Sequence, residues 1–179
     1  MASLQKFYLI VLILLTSIGC DQVSKNIAKS SLENSPPMSY LGETFRLQYA
    51  ENSGAFLSLG SSLSKTTRTF LFTFLSGGLL IVLFFYMIKN RDLERKHILA
   101  LSVILGGGAS NMIDRFVNDG KVIDFMNMGI GSLRTGIFNM ADVLIMVGMA
   151  FILLFNFQSH KEKKSSSEVT ELPQAKSDS

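Results

Sequence analysis

The residues best equipped for chemistry are carboxylates and amides set in apolar surroundings. Gly107-Gly108-Ala109-Ser110-Asn111-Met112-Ile113-Asp114-Arg115 closes one long apolar run, and Phe138-Asn139-Met140-Ala141-Asp142 opens the next. In each, an Asn precedes an Asp by three residues, a spacing that places both on one helical face. Asp21 ends an earlier run, and Val122-Ile123-Asp124-Phe125 lies between the other two. An ionisable group inside a membrane helix costs about 2.5–3.5 kcal/mol, so each one asks for a partner or a purpose. Two carboxylates close enough to interact share one proton: one stays charged as a general base for water while the other is a general acid. That is aspartyl-protease chemistry.

Other chemistries lack parts. There is one cysteine, Cys20, and there are two histidines, His97 and His160, so a disulfide framework, a multi-cysteine metal cluster and an HExxH site are absent from the sequence. No GxSxG turn is present. Gly106-Gly107-Gly108 lacks the Lys-Ser/Thr of a phosphate loop and reads as a close helix-packing surface. The nine methionines read as packing residues. No metal or organic cofactor is expected. Asp114 beside Arg115 reads, taken alone, as a structural ion pair at a helix end. From spacing alone, an acid-lined transporter or small channel fits almost as well as a protease.

The elements that must position these residues are membrane helices. The chain has 179 residues, 47% hydrophobic and 17% charged, with mean hydropathy +0.32, a balance unlike that of soluble domains. Four apolar stretches stand out, Phe7–Gly19, Thr69–Ile88, Ile98–Met112 and Phe138–Phe157; the second and fourth reach the roughly 20 residues a spanning helix needs. Lys6, the four Lys/Arg of the 89–97 connection, and Lys161, Lys163 and Lys164 fall on one side of a four-span arrangement. The positive-inside rule then puts both termini in the cytoplasm and the 25–68 and 117–137 loops outside. Alternation of the spans brings Asp21, Asn111, Asp114, Arg115, Asn139 and Asp142 to one leaflet whichever way the bundle faces. The 117–137 hairpin lets Asp124 fold back to Asp142, with Phe125 seating the turn in the interface. The loop around Asn52-Ser53-Gly54 reads as short strands and a turn lying against the membrane.

The net charge of +3 follows from topology, and no aromatic-basic interleave points to nucleic acid. Residues 1–160 read as one membrane domain and 161–179 as a disordered polar cytoplasmic tail. Ser17-Ile18-Gly19-Cys20 is similar to a lipoprotein signal-peptide cleavage box, but a retained first span is the reading adopted.

Five motifs now line up. Asp21-Gln22-Val23-Ser24-Lys25, Asn52-x-Gly54, Gly107-Gly108-x-x-Asn111-x-x-Asp114-Arg115, Val122-x-Asp124-Phe125 and Phe138-Asn139-x-Ala141-Asp142, in that order over about Phe7 to Phe157, resemble those of the bacterial lipoprotein signal peptidases (type II signal peptidases). The chain has one alanine, Ala55, before Phe56 where that family often has two. The resemblance implies an all-α membrane protein of four transmembrane helices, with a small extracytoplasmic β-like cradle and a periplasmic hairpin or arm, in the bacterial cytoplasmic (inner) membrane. It implies an aspartic endopeptidase that cuts prolipoproteins N-terminal to a diacylglyceryl-modified cysteine near the extracytoplasmic face. Asp124 and Asp142 would be its catalytic dyad, with Asn52, Gly54, Asn111, Asp114, Arg115, Asn139, Ala141, Asp21 and Lys25 binding substrate or supporting the site. Diacylglyceryl-modified prolipoproteins, membrane lipid and globomycin-type inhibitors are the implied partners. The rival expectation is a non-enzymatic four-helix transporter or lipid-binding assembly factor.

Overall fold

The computed structural model describes residues 3–54, 60 and 62–170, with the side chains of 160–170 excepted. Among the described residues, four helices are long and apolar enough to cross a membrane. These are α1 (Ser3–Leu32), α2 (Lys65–Lys89), α3 (Arg95–Val117) and α4 (Met140–Thr170), the last apolar over Met140–Ser159. A small antiparallel sheet, β1 (Met38–Tyr40), β2 (Phe45–Asn52), β3 (Val122–Ile130) and β4 (Leu133–Arg134), is ordered β1-β2-β3-β4. The molecule is thus mostly helical, carrying a sheet at one end of four spans. The backbone of 161–170 continues α4, within the stretch expected to be a disordered tail; residues 171–179, and the question of Ala55 and Phe56, lie outside the described residues.

All four expected spans are present and all start or end beyond their apolar runs. Helix α1 continues unbroken through Cys20, which is exposed, and carries Asp21 and Lys25 one turn apart into the buried interior. It extends this far because its polar residues meet partners, so apolar length alone underestimates it. Helix α3 is the centre of the bundle: 56% of its spanning window is buried, against 11–17% for the other three.

Close packing explains the glycine run. A Cβ on Gly106 would lie 2.5 Å from Ser17 Cβ of α1, and one on Gly107 would lie 2.6 Å from the Ala141 carbonyl oxygen of α4. Hydrogen there lets α3 approach two helices at backbone distance, as small residues do in membrane bundles. Away from the sheet, Ile10, Met87, Ile98 and Leu105 form a wholly apolar core from α1, α2 and α3.

The sheet is where the structure exceeds the reading of the loops. The 117–137 hairpin forms a nine-residue strand, and Phe125 is not seated in the interface. It packs instead with Ala28 and Leu32 at the end of α1, where burial against an ordered helix removes it from both water and lipid. Val122, Ile123, Asp124 and Phe125 are all buried, a strand segment covered on both faces. Helix α2 contains a π-helical stretch, Thr69–Leu75, a local widening often found at functional sites.

Candidate active site

Asp142 is placed by the way α4 begins. Asn139 caps the helix: its side-chain oxygen accepts the Asp142 backbone N–H at 2.9 Å, and its own backbone N–H donates to Asp142 Oδ2 at 3.3 Å. This is a reciprocal capping box with Asp in the third helical position. The N–H of Ala141, also orphaned at a helix start, donates to Asp21 Oδ1 at 2.7 Å. The carboxylates that could do chemistry therefore also hold up the end of the helix that presents them.

Asp124 is placed by strand register. Ala50 pairs with Asp124 and Asn52 with Val122 across β2 and β3, so Asn52 and Asp124 are diagonal neighbours on one face. Asn52 Nδ2 donates to Asp124 Oδ2 at 2.8 Å, while Asn52 Oδ1 accepts the Gly54 N–H at 2.8 Å. A bridge between Met126 and Phe138 ties β3 to the residue before the α4 cap. That tie brings Asn139 to Asp124, whose Oδ1 accepts Asn139 Nδ2 at 2.7 Å.

One asparagine thus holds both candidate carboxyls, Asp124 through its side chain and Asp142 through its cap. A second amide, Asn111, donates from Nδ2 to Asp142 Oδ1 at 3.0 Å and accepts from Asn139 at 3.1 Å. Its orientation is set from behind, because Lys25 Nζ donates to Asn111 Oδ1 at 2.8 Å. Asp124, in the sheet, has its carboxyl pushed up to about 7. Burial is the main cause; the hydrogen bonds from Asn52 and Asn139 pull down and the charge of Asp142 pushes up.

Lys25 is 1% exposed and lies 2.7 Å from Asp21 Oδ2 and 2.8 Å from Asp114 Oδ2. Asp114 also accepts the Ile123 N–H at 3.0 Å, so it anchors β3 next to Asp124. The expected Asp114–Arg115 ion pair is not formed: successive helix residues point about 100° apart, and Asp114 turns to Lys25. Arg115 turns the other way and donates to the carbonyls of Asn111 (3.2 Å) and Gly54 (3.1 Å). Its Nε is buried with no partner among the described residues. All the named site residues on described segments, Asn52, Gly54, Asn111, Asp114, Arg115, Asn139, Ala141, Asp21 and Lys25, join this network or touch it directly.

Two participants were missed. Gln22 donates to Asp114 Oδ1 at 2.7 Å and to Ser110 Oγ at 3.0 Å, and Ser110 donates to Asp21 Oδ2 at 2.7 Å. The available signals were Gln22 standing beside Asp21, and a serine in an otherwise small and apolar stretch of α3.

A groove of about 320 Å³ runs between α2 and the α3–α4 pair, with Phe72, Leu80, Met112 and Ile145 along it and Asn111, Arg115 and Asp142 at its polar part. Apolar walls converging on a few polar groups are the ordinary form of a ligand site. No group of three or more His, Cys, Asp or Glu among the described residues is arranged to hold a metal.

Comparison with known proteins gives the family of the chain. The family model Peptidase_A8, signal peptidase (SPase) II, matches residues 12–158. The chain is 32% identical over 165 residues to the lipoprotein signal peptidase of Treponema denticola, covering 88% of this chain and 94% of that one. It is 31% identical over 160 residues to that of Photorhabdus laumondii, covering 89% and 92%. A bacterial membrane enzyme solved in meso, 26% identical, superposes with a TM-score of 0.66 over 81% of this chain and 90% of its own. Another, 24% identical, shares the fold with a TM-score of 0.74 over 93% and 94%. With four spans, a polar site at one end of the bundle and a family match over nearly the whole apolar part of the sequence, the chain belongs to the signal peptidase II family.

Proposed function

We propose that this membrane peptidase is an aspartic endopeptidase in which Asp124 and Asp142 are the catalytic dyad. The chain removes signal peptides from prolipoproteins, and we place the cut just before the diacylglyceryl-modified cysteine. The observation that carries the aspartic assignment is the single asparagine, Asn139, bonded to both carboxyls. Burial pushes the Asp124 carboxyl up to about 7, which makes it the member of the pair that keeps its proton below neutral pH. The ionised carboxylate takes a proton from water as its oxygen attacks the scissile carbonyl, and the protonated carboxyl gives its proton to the carbonyl oxygen. Collapse of the resulting gem-diol returns a proton to the departing amide nitrogen. Asn52, Asn111 and Asn139 hold the two carboxyls in register, and Arg115 beside the groove faces the substrate backbone.

The groove between α2 and the α3–α4 pair admits the acyl chains sideways from lipid, and globomycin-type peptides inhibit by filling it. Both termini lie in the cytoplasm, with the site at the extracytoplasmic face of the inner membrane. A transporter would need a polar path through both leaflets, whereas away from the sheet α1, α2 and α3 pack through the apolar cluster of Ile10, Met87, Ile98 and Leu105. The test is cleavage of a lipidated prolipoprotein by purified Asp124→Asn and Asp142→Asn proteins. Each should insert, accumulate and fail to cut; normal processing by either removes that residue from the dyad.

A further inference from the structure

At the end of the bundle opposite the carboxylates lies a second concavity, of about 580 Å³, lined by Ser3 and Lys6 of α1, Ile88 and Lys89 of α2, and Arg91 of the connection that follows. Lys6 lies 15 residues before Asp21, about 22 Å away along α1, so this is not an annex of the active site. Its charge is of one sign. Lys6 is 6% exposed, yet among the described residues its ammonium makes one hydrogen bond, to the Asn90 carbonyl at 2.5 Å, where an ammonium can make three. Lys89 and Arg91 are exposed. No carboxylate among the described residues lies within ion-pair distance of any of the three, and the nearby Glu94 is paired with Lys96 at 2.9 Å. Three cations without an ion-pair partner among the described residues, one of them buried, repel one another; exposed Asp92, next to Arg91, makes no ion pair with them, and an anion in the concavity relieves the repulsion. Phe7 (42% exposed), next to Lys6, and Phe85 (52%), one turn before Lys89, are exposed apolar side chains.

We propose that this concavity binds the phosphate group of an anionic glycerophospholipid from the adjoining leaflet, its acyl chains lying along Phe7 and Phe85. Basic pockets at helix ends on one membrane face suit such head groups, and the adjoining apolar surface favours a lipid over a soluble phosphate. The test is native mass spectrometry of the full-length, delipidated protein in mild detergent, titrated with phosphatidylglycerol or phosphatidylcholine of equal chain length. One phosphatidylglycerol should bind roughly tenfold or more tightly than phosphatidylcholine. Lys89→Gln/Arg91→Gln should weaken it by about fivefold per cation without altering phosphatidylcholine binding, while the charge-conserving Lys89→Arg/Arg91→Lys protein keeps it. Equal binding of the two lipids, or undiminished phosphatidylglycerol binding by the Gln variant, overturns the proposal. So does displacement of the lipid by millimolar inorganic phosphate, which would make this a site for soluble anions. Peptidase activity does not enter the readout, so the result is independent of the dyad assignment.

Discussion

Replacing Lys25 with Met tests how the charged interior is held together. Lys25 is 1% exposed, its ammonium lies 2.7 and 2.8 Å from two buried carboxylates, and it donates to Asn111 at 2.8 Å. A methionine of similar length keeps the volume but leaves Asp21 and Asp114 without their cation. Breaking a buried ion pair from one side costs about 3–5 kcal/mol. At roughly 2–4 °C per kcal/mol for a chain of this size, the midpoint should fall by on the order of 10 °C. The chain has no tryptophan, so unfolding in detergent is followed by far-ultraviolet circular dichroism. The decisive companion is Lys25→Met/Asp114→Asn. It removes one stranded charge, and Asp21 keeps its bonds from Ser110 and the Ala141 N–H, so the double variant should regain part of the loss. A Lys25→Met protein that unfolds within about 2 °C of the parent, or a double variant less stable than the single, refutes the electrostatic account of this cluster.

Asn139→Ala should lose about 1 kcal/mol of helix-cap stability and at least 100-fold in processing rate, since one change frees both carboxyls; a rate near the parent's in the cleavage assay contradicts the clamp. Gly107→Ala should destabilise by about 1–3 kcal/mol because its methyl meets the Ala141 carbonyl. Gly108→Ala, whose nearest neighbour is the flexible end of Leu80, should cost less, and thermal unfolding of both proteins ranks them. For Asp124 the folded-state value of about 7 exceeds the ordinary 3.8, so the folded protein holds the proton more tightly than the unfolded chain. The contribution of Asp124 to stability is then fully present below about pH 4 and is lost as pH rises to 7. Asp124→Asn should flatten that decline in a midpoint-against-pH series, and an unchanged slope shows that other groups dominate.

The spans were legible because lipid leaves the backbone few options and hydropathy reports them directly. The gathering of Asp21, Asn111, Asp114, Arg115, Asn139 and Asp142 followed from alternation of direction alone. Which of them bond to which was not legible. Asp114 reaches Lys25 and not Arg115 because of how α3 is rotated against α1, and that rotation depends on Gly106 and Ser17 meeting at backbone distance. The strand at Val122–Ile130 was hidden for a related reason: buried on both faces at its start, it lacks the alternation that marks a half-exposed strand. Its pairing with Phe45–Asn52 is a long-range contact that local pattern does not encode. The π-helical turns at Thr69–Leu75 lie in an apolar run that reads as ordinary α-helix.

The groove beside Asp142 lies between helices, lined by residues of α2, α3 and α4. On the lateral route proposed above, a substrate reaches it by diffusing in two dimensions, so its effective concentration is a mole fraction among lipids. Apparent Michaelis constants measured in detergent should accordingly scale with the amount of micelle and not with the volume of buffer, and rates from different preparations become comparable only at matched surface dilution.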